Sequence, residues 1–210
     1  MVRVVGNDSV TTSLPEVVPH ASAQEKVHAQ AWVIGPGRGT DPEAAAELRA
    51  VLKRGLPTII DADALTVLST YGDLRELVRD HPCAVLTPHA GEFERLYKAT
   101  LGRELDLSEG LEICLQELAS ALDCFVLHKG RITTVTGPDQ DIYGMNAGHS
   151  YAATAGSGDV LSGILGATLA QLDIVEVSAE TIIMEILHAA AIHQHAAALA
   201  AHTPDGFGIC

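Results

Sequence analysis

The chain has 210 residues, 47% of them hydrophobic but only 4% aromatic, and a formal charge of −14 from 13 basic and 27 acidic residues. That length suits one α/β domain, and a core of Ala, Val, Leu and Ile suits helices packed on a parallel sheet. A nucleic-acid reader needs a basic footprint, which this composition excludes, so an anionic ligand would have to be held by backbone N–H groups and a few local cations. Cys83, Cys114, Cys124 and Cys210 form no Cys-x-x-Cys pair and read as thiols of a reduced, cytoplasmic protein. No run of 18 apolar residues marks a transmembrane span, and the N-terminus lacks the apolar stretch of a signal peptide.

The elements alternate between strand and helix. Residues 2–5 read as a short buried strand, 7–30 as a polar connector, and 31–34 as a strand that stops at Gly35-Pro-Gly. Asp41 can cap a helix that starts at Pro42 and runs to about Arg54. Residues 57–60 form the next strand, 62–69 and 73–79 are helical, and 84–86 is a strand stopped by Thr87-Pro88. Helices are expected at 91–98 and 108–122, and a strand at 124–128. Residues 131–136 and 141–145 flank Gly137-Pro138-Asp139, the signal of an antiparallel hairpin. A long helix follows Gly156, and an alanine-rich one spans about 178–201. The fold expected is a three-layer α/β/α domain with a mostly parallel central sheet over residues 1–210.

Four segments follow strand ends, where open α/β sheets bind ligands. In Ala155-Gly-Ser-Gly-Asp159, small residues let a phosphate approach the backbone at a helix N-terminus whose N–H groups lack partners. Asp159, in the first turn, can take a proton from an attacking hydroxyl. A plain helix start capped by Ser157 or Asp159 explains the same residues. Thr87-Pro-His-Ala-Gly91 leaves His89 and Glu92 at the crevice, against the alternative of a solvated loop histidine. Gly35-Pro-Gly-Arg-Gly39 presents bare backbone. Its third glycine comes one position too early for a dinucleotide fingerprint, although Asp61 lies roughly where that motif places its ribose-binding acid. Lys129-Gly-Arg-Ile-Thr133 offers a cation, a close-approach glycine and a hydroxyl, or merely a solvated strand-end lysine. A Walker loop is absent. His188 and His195 share a helical face while His193 and His202 point elsewhere. All four read as helix surface or subunit contact rather than metal ligands.

The run Asn146-Ala-Gly-His-Ser-Tyr-Ala-Ala-Thr-Ala-Gly-Ser-Gly-Asp159 resembles the signature of nucleotide-dependent NAD(P)H-hydrate dehydratases, of the ribokinase-like superfamily. It matches at Asn146, Gly148, Ala153, Thr154, Gly156, Gly158 and Asp159. Thr87-Pro-His-Ala-Gly-Glu-Phe-Glu-Arg-Leu96, Gly35–Gly39, Asp61-Ala-Asp63-Ala-Leu65 and Lys129–Thr133 resemble further segments of that family. The resemblance implies repair of hydrated NADH or NADPH with ADP or ATP and Mg2+. Asp159 would be the catalytic base. Lys129, Gly130, Arg131, Ile132, Thr133, Gly156, Ser157 and Gly158 would hold the nucleotide. Gly37, Gly39, His89, Asn146 and Asp159 would hold the substrate, with no protein-ligated metal. It also implies a homo-oligomer, a tetramer being one common form, while composition and the lack of an apolar span lead to the expectation of no nucleic-acid or membrane partner. The match runs from Val2 to about Ala201, and family members extend further at both ends, so the chain reads as shortened at both termini. A vitamin-precursor kinase of the same superfamily and an inactive nucleotide-binding subunit are the rival readings.

Overall fold

The computed structural model describes residues 2–5, 17–22, 28–146, 149–203 and 206–207. Much of the polar connector at 7–30, together with Ala147, Gly148 and Cys210, lies outside the described residues.

Strands β1 (Arg3–Val5) and β2 (Val18–His20) pair in parallel as a small sheet of their own. The first strand therefore differs from its expectation. It lies outside the main sheet, and Val2 and Val5 remain 63% and 36% exposed among the described residues. The main sheet has six strands in chain order: β3 (Trp32–Ile34), β4 (Thr58–Ile60), β5 (Ala84–Leu86), β6 (Phe125–His128), β7 (Ile132–Thr136) and β8 (Tyr143–Asn146). β3 to β6 are parallel, and β7 and β8 run back antiparallel as the hairpin expected around Gly137. Among the described residues the main sheet keeps chain order without the reversal that makes a topological switch point, which speaks against the dinucleotide-fold reading of Gly35–Gly39.

The connecting helices are α1 (Pro42–Leu52), α2 (Asp63–Thr70), α3 (Gly72–Arg79), α4 (Ala90–Leu101), α5 (Leu111–Leu122), α6 (Ser157–Leu169) and α7 (Ala179–Ala200). Asp41 caps α1 as its sequence position indicated, accepting from Ala44 N at 2.7 Å. Such a cap stabilises a helix by about 1 kcal/mol. The helix expected over 108–122 is interrupted. A short 3-10 turn at Leu107–Glu109 ends at Gly110, whose φ of 106° no helix accommodates, and α5 begins only after it. Past α7, two-residue strands β9 (His202–Thr203) and β10 (Gly206–Phe207) form a small antiparallel ladder that no periodicity announced.

Side-chain alternation along the strands divides the core in two. Ile60, Leu86 and Val126 face α1 to α5, packing with Leu48, Leu65, Phe93, Leu115 and Leu118. Ile59, Val85, Leu127 and Val135 face α6 and α7, packing with Leu161, Leu165, Ile183 and Ile186. The result is the three-layer α/β/α architecture, with both faces of the sheet covered. By length and composition α7 is apolar enough to cross a membrane, but a third of its most apolar window is buried against the protein. Cys83, Cys114 and Cys124 are buried free thiols, and burial pushes Cys83 up to about 12.

Candidate active site

Because β3 to β6 are parallel neighbours, the segments after them emerge side by side at one end of the sheet. Gly35 turns the chain sharply after β3 at φ 123°, and a Cβ there would lie 1.8 Å from the carbonyl oxygen of Asp61. Only glycine lets the β3–α1 turn sit this close to the end of β4. The next acid, Asp63, accepts from Gly39 N at 2.8 Å and pins the far end of that turn. Arg38 is drawn sideways into a two-pronged bond with Glu47 at 2.7 and 3.2 Å.

Asp61 points the other way, toward α6. Its carboxylate is 1% exposed, accepts from Lys129 Nζ at 2.6 Å and from Ser162 Oγ at 2.7 Å, and receives Ala62 N at 2.9 Å. Lys129 therefore ends its strand as half of a largely buried ion pair rather than as a solvated charge. The first turn of α6 lies directly over this pair. A Cβ on Gly158 would be 3.6 Å from Lys129 Nζ and 3.9 Å from Asp61 Oδ2. The two segments expected to handle phosphate thus meet: a helix N-terminus, capped by Gly156 at φ 81°, with a lysine ammonium beneath it.

Beside this junction opens a pocket of about 1000 Å³. His89, Lys129, Gly130, Arg131, Thr133, Asn146, Ser157 and Gly158 all line it. His89 caps α4. Its Nδ1 accepts from Gly91 N at 3.1 Å while its own N–H donates to Glu92 at 2.9 Å. This reciprocal cap holds the ring at the pocket edge, 55% exposed, with Nε2 3.4 Å from Glu92 Oε1. Behind it, His128 is buried edge-on against Phe93, and burial, followed by the neighbouring His89, lowers its pKa.

Other expected positions lie outside the pocket wall. Ile132 alternates with Thr133 on β7, so its side chain is 52% exposed. Asp159 is exposed on the first turn of α6, and Gly37 and Gly39 stand on the neighbouring β3–α1 turn with open space above them.

His193 requires a correction. Read from sequence as helix surface, it is only 9% exposed and lines the pocket, with Nε2 2.9 Å from Ser157 Oγ. Gln194, unremarked in the sequence, joins it and donates to Thr133 Oγ1 at 3.3 Å. The signal was present. Ile182, Ile186, Ala189 and His193 recur at three- and four-residue steps, which is the buried stripe of α7. His188 is exposed as expected.

Residues 1–205 match the NAD(P)H-hydrate dehydratase family. The bifunctional NAD(P)H-hydrate repair enzyme of Corynebacterium glutamicum is 44% identical over 230 residues, covering 99% of this chain and 39% of that protein. The corresponding enzyme of Mycobacterium tuberculosis is 46% identical over 172 residues, 81% of this chain and 35% of that protein. The chain thus spans well under half the length of these relatives. Among solved structures, a ribokinase-like superfamily protein of Enterococcus faecalis superposes with a TM-score of 0.72 at 24% identity, over 92% of this chain and 66% of that one. The ADP/ATP-dependent NAD(P)H-hydrate dehydratase of Bacillus subtilis, co-crystallized with ATP/Mg2+, gives 0.62 at 21% identity, over 88% and 74%. Those superpositions carry the fold, the family match and the two repair enzymes carry the kinship, and together they place this chain in the NAD(P)H-hydrate dehydratase family, on a ribokinase-like fold.

Proposed function

We propose that the chain is a dehydratase domain that restores NADH or NADPH from its hydrate at the expense of ADP or ATP. The observation that carries the reading is the convergence at one pocket of His89, Lys129, Gly130, Arg131, Thr133, Asn146 and the glycine-framed start of α6. Backbone N–H groups of Gly158 and Asp159 face the phosphates together with the Ser157 hydroxyl, the Ser157 N–H being already given to Thr154 O at 3.2 Å, and Lys129 lies beneath them. Donors already in place where charge develops need no reorganisation during transfer. Asp159, in the same turn, takes the proton of the ring hydroxyl as that oxygen attacks the terminal phosphorus. The nucleotide leaves one phosphate shorter. Phosphate is a far better leaving group than hydroxide, so the C–O bond breaks with the push of the ring nitrogen. Loss of a ring proton restores the double bond. His89, Asn146 and the Gly37–Gly39 turn hold the reduced nicotinamide.

Among the described residues no three His, Cys, Asp or Glu side chains converge as a metal cage. A magnesium ion carried in on the nucleotide phosphates needs none, since it keeps phosphate and water ligands, and it would neutralise phosphate charge. The free buried thiols fit a cytoplasmic protein. The edge position of β3 among the described strands and the exposed Ile192 and Leu199 on α7 favour a homo-oligomer. The deciding experiment follows NADH absorbance on adding purified NADH hydrate with ADP or ATP and Mg2+. Nucleotide-dependent recovery of NADH with release of inorganic phosphate supports the reading. A stable phosphorylated product would make the chain a kinase instead, and binding without turnover an inactive subunit.

A further inference from the structure

Helix α7 reaches into the pocket with two side chains that no motif contains. His193 meets Ser157 at the first turn of α6, and Gln194 meets Thr133 on β7. Both hydroxyls belong to the segments assigned above to the nucleotide, and the inference rests on that assignment. The Ser157–His193 contact has two chemically distinct forms. When Nε2 carries no proton, it accepts the serine hydrogen, and Ser157 shows the pocket only lone pairs. When Nε2 is protonated it donates to Oγ, and the serine hydrogen is free to turn toward an anion. A ring protonated on both nitrogens also places a positive charge beside the helix N-terminus.

We propose that His193 is a positioning residue of the phosphate site, which orients the Ser157 hydroxyl and takes up a proton when the nucleotide binds. In the free protein burial holds His193 below its ordinary value. Phosphates arriving at Ser157 favour the charged ring and raise that value. The bound complex then carries a proton that the free protein lacks in the window between the two values. Affinity is highest below the window, falls as pH rises through it, and levels off above it.

Other groups around the pocket must be separated from this effect. Lys129 is paired with Asp61, and Arg131 and His89 line the pocket from beyond β6 and from α4. His149 lines it from the loop before α6, and Asp159 follows Ser157 by two residues. On α7 itself Glu185, His188 and His195 lie along the same helix, the two histidines exposed, and His202 follows in β9.

The test is calorimetric titration of the whole chain with ADP and with ATP, with Mg2+, from pH 6 to 8 in buffers of differing ionisation enthalpy. The nucleotide's own terminal phosphate titrates in this range, near about 6, and contributes equally to wild type and variants. A single linked proton changes affinity by at most about tenfold per pH unit, so wild type should bind about three- to tenfold more tightly at pH 6 than His193→Gln behaviour extrapolates. His193→Gln should lose both that excess and the matching proton uptake. In the wild-type protein, the His193 imidazole resonances should titrate at a higher pH with ADP than without, which needs no substitution. Unchanged proton uptake in His193→Gln, an equal loss of affinity at every pH, or a His193 titration indifferent to ADP would each overturn the proposal. Failure of wild type to bind either nucleotide at any pH would instead overturn the nucleotide reading itself.

Discussion

Replacing Asp61 by Asn removes one charge from the ion pair that seats α6 on the sheet. The side chain keeps its shape, and its remaining oxygen can still accept from Ala62 N or Lys129, while Ser162 can rotate to accept from the new amide. What is lost is the carboxylate charge opposite Lys129 Nζ at 2.6 Å, in a site where Asp61 is 1% and the lysine 23% exposed. Breaking a fully buried pair costs about 3–5 kcal/mol. Lys129 retains some access to water, so a loss of about 2–3 kcal/mol is expected here. For a chain of this size that lowers the midpoint of thermal unfolding by roughly 4–12 °C. Urea unfolding of Asp61→Asn, Lys129→Met and the double variant closes the cycle. The double variant should be more stable than the two single losses predict, by about 1–3 kcal/mol, because removing the second charge relieves the first. A loss under about 0.5 kcal/mol for Asp61→Asn, the level of an exposed pair, would refute the idea that this contact anchors the helix.

Asp159→Asn should leave fold and nucleotide binding in place while lowering NADH recovery by about two to four orders of magnitude, the range for a positioned base; turnover within about twofold of wild type would remove Asp159 from the chemistry. Gly35→Ala should yield little folded protein, because its Cβ would meet the Asp61 carbonyl at 1.8 Å, whereas Gly37→Ala, with φ 64° and open space, should cost only about 1–2 kcal/mol in thermal melts. His81 is buried and held neutral, its pKa lowered to about 4 chiefly by desolvation. The unfolded chain binds that proton more readily, so its contribution is complete above the unfolded value of about 6.5 and is lost as pH falls toward 4. Urea unfolding of wild type and His81→Phe between pH 7 and 5 should show the steeper fall in wild type, and parallel curves would mean that His81 does not drive the dependence.

Local signals in the sequence determined most of the elements and the end of the sheet at which the candidate segments gather. Proline and glycine stops mark the ends of β3 and β5, Asp41 announces α1, and the two-residue alternation divides Ile59 from Ile60 and so defines two core layers. These features depend on neighbours a few residues away, and a chain reports such neighbours directly. Tertiary structure decided what depends on distant partners. Whether residues 2–5 join the main sheet, whether Lys129 meets water or Asp61 68 residues earlier, and whether His193 faces solvent or Ser157 36 residues earlier are set by packing α6 and α7 on one face of the sheet. A helical histidine carries no mark of its partner. Only the closing of two helices over a strand end turns a residue of the buried stripe into part of a pocket wall.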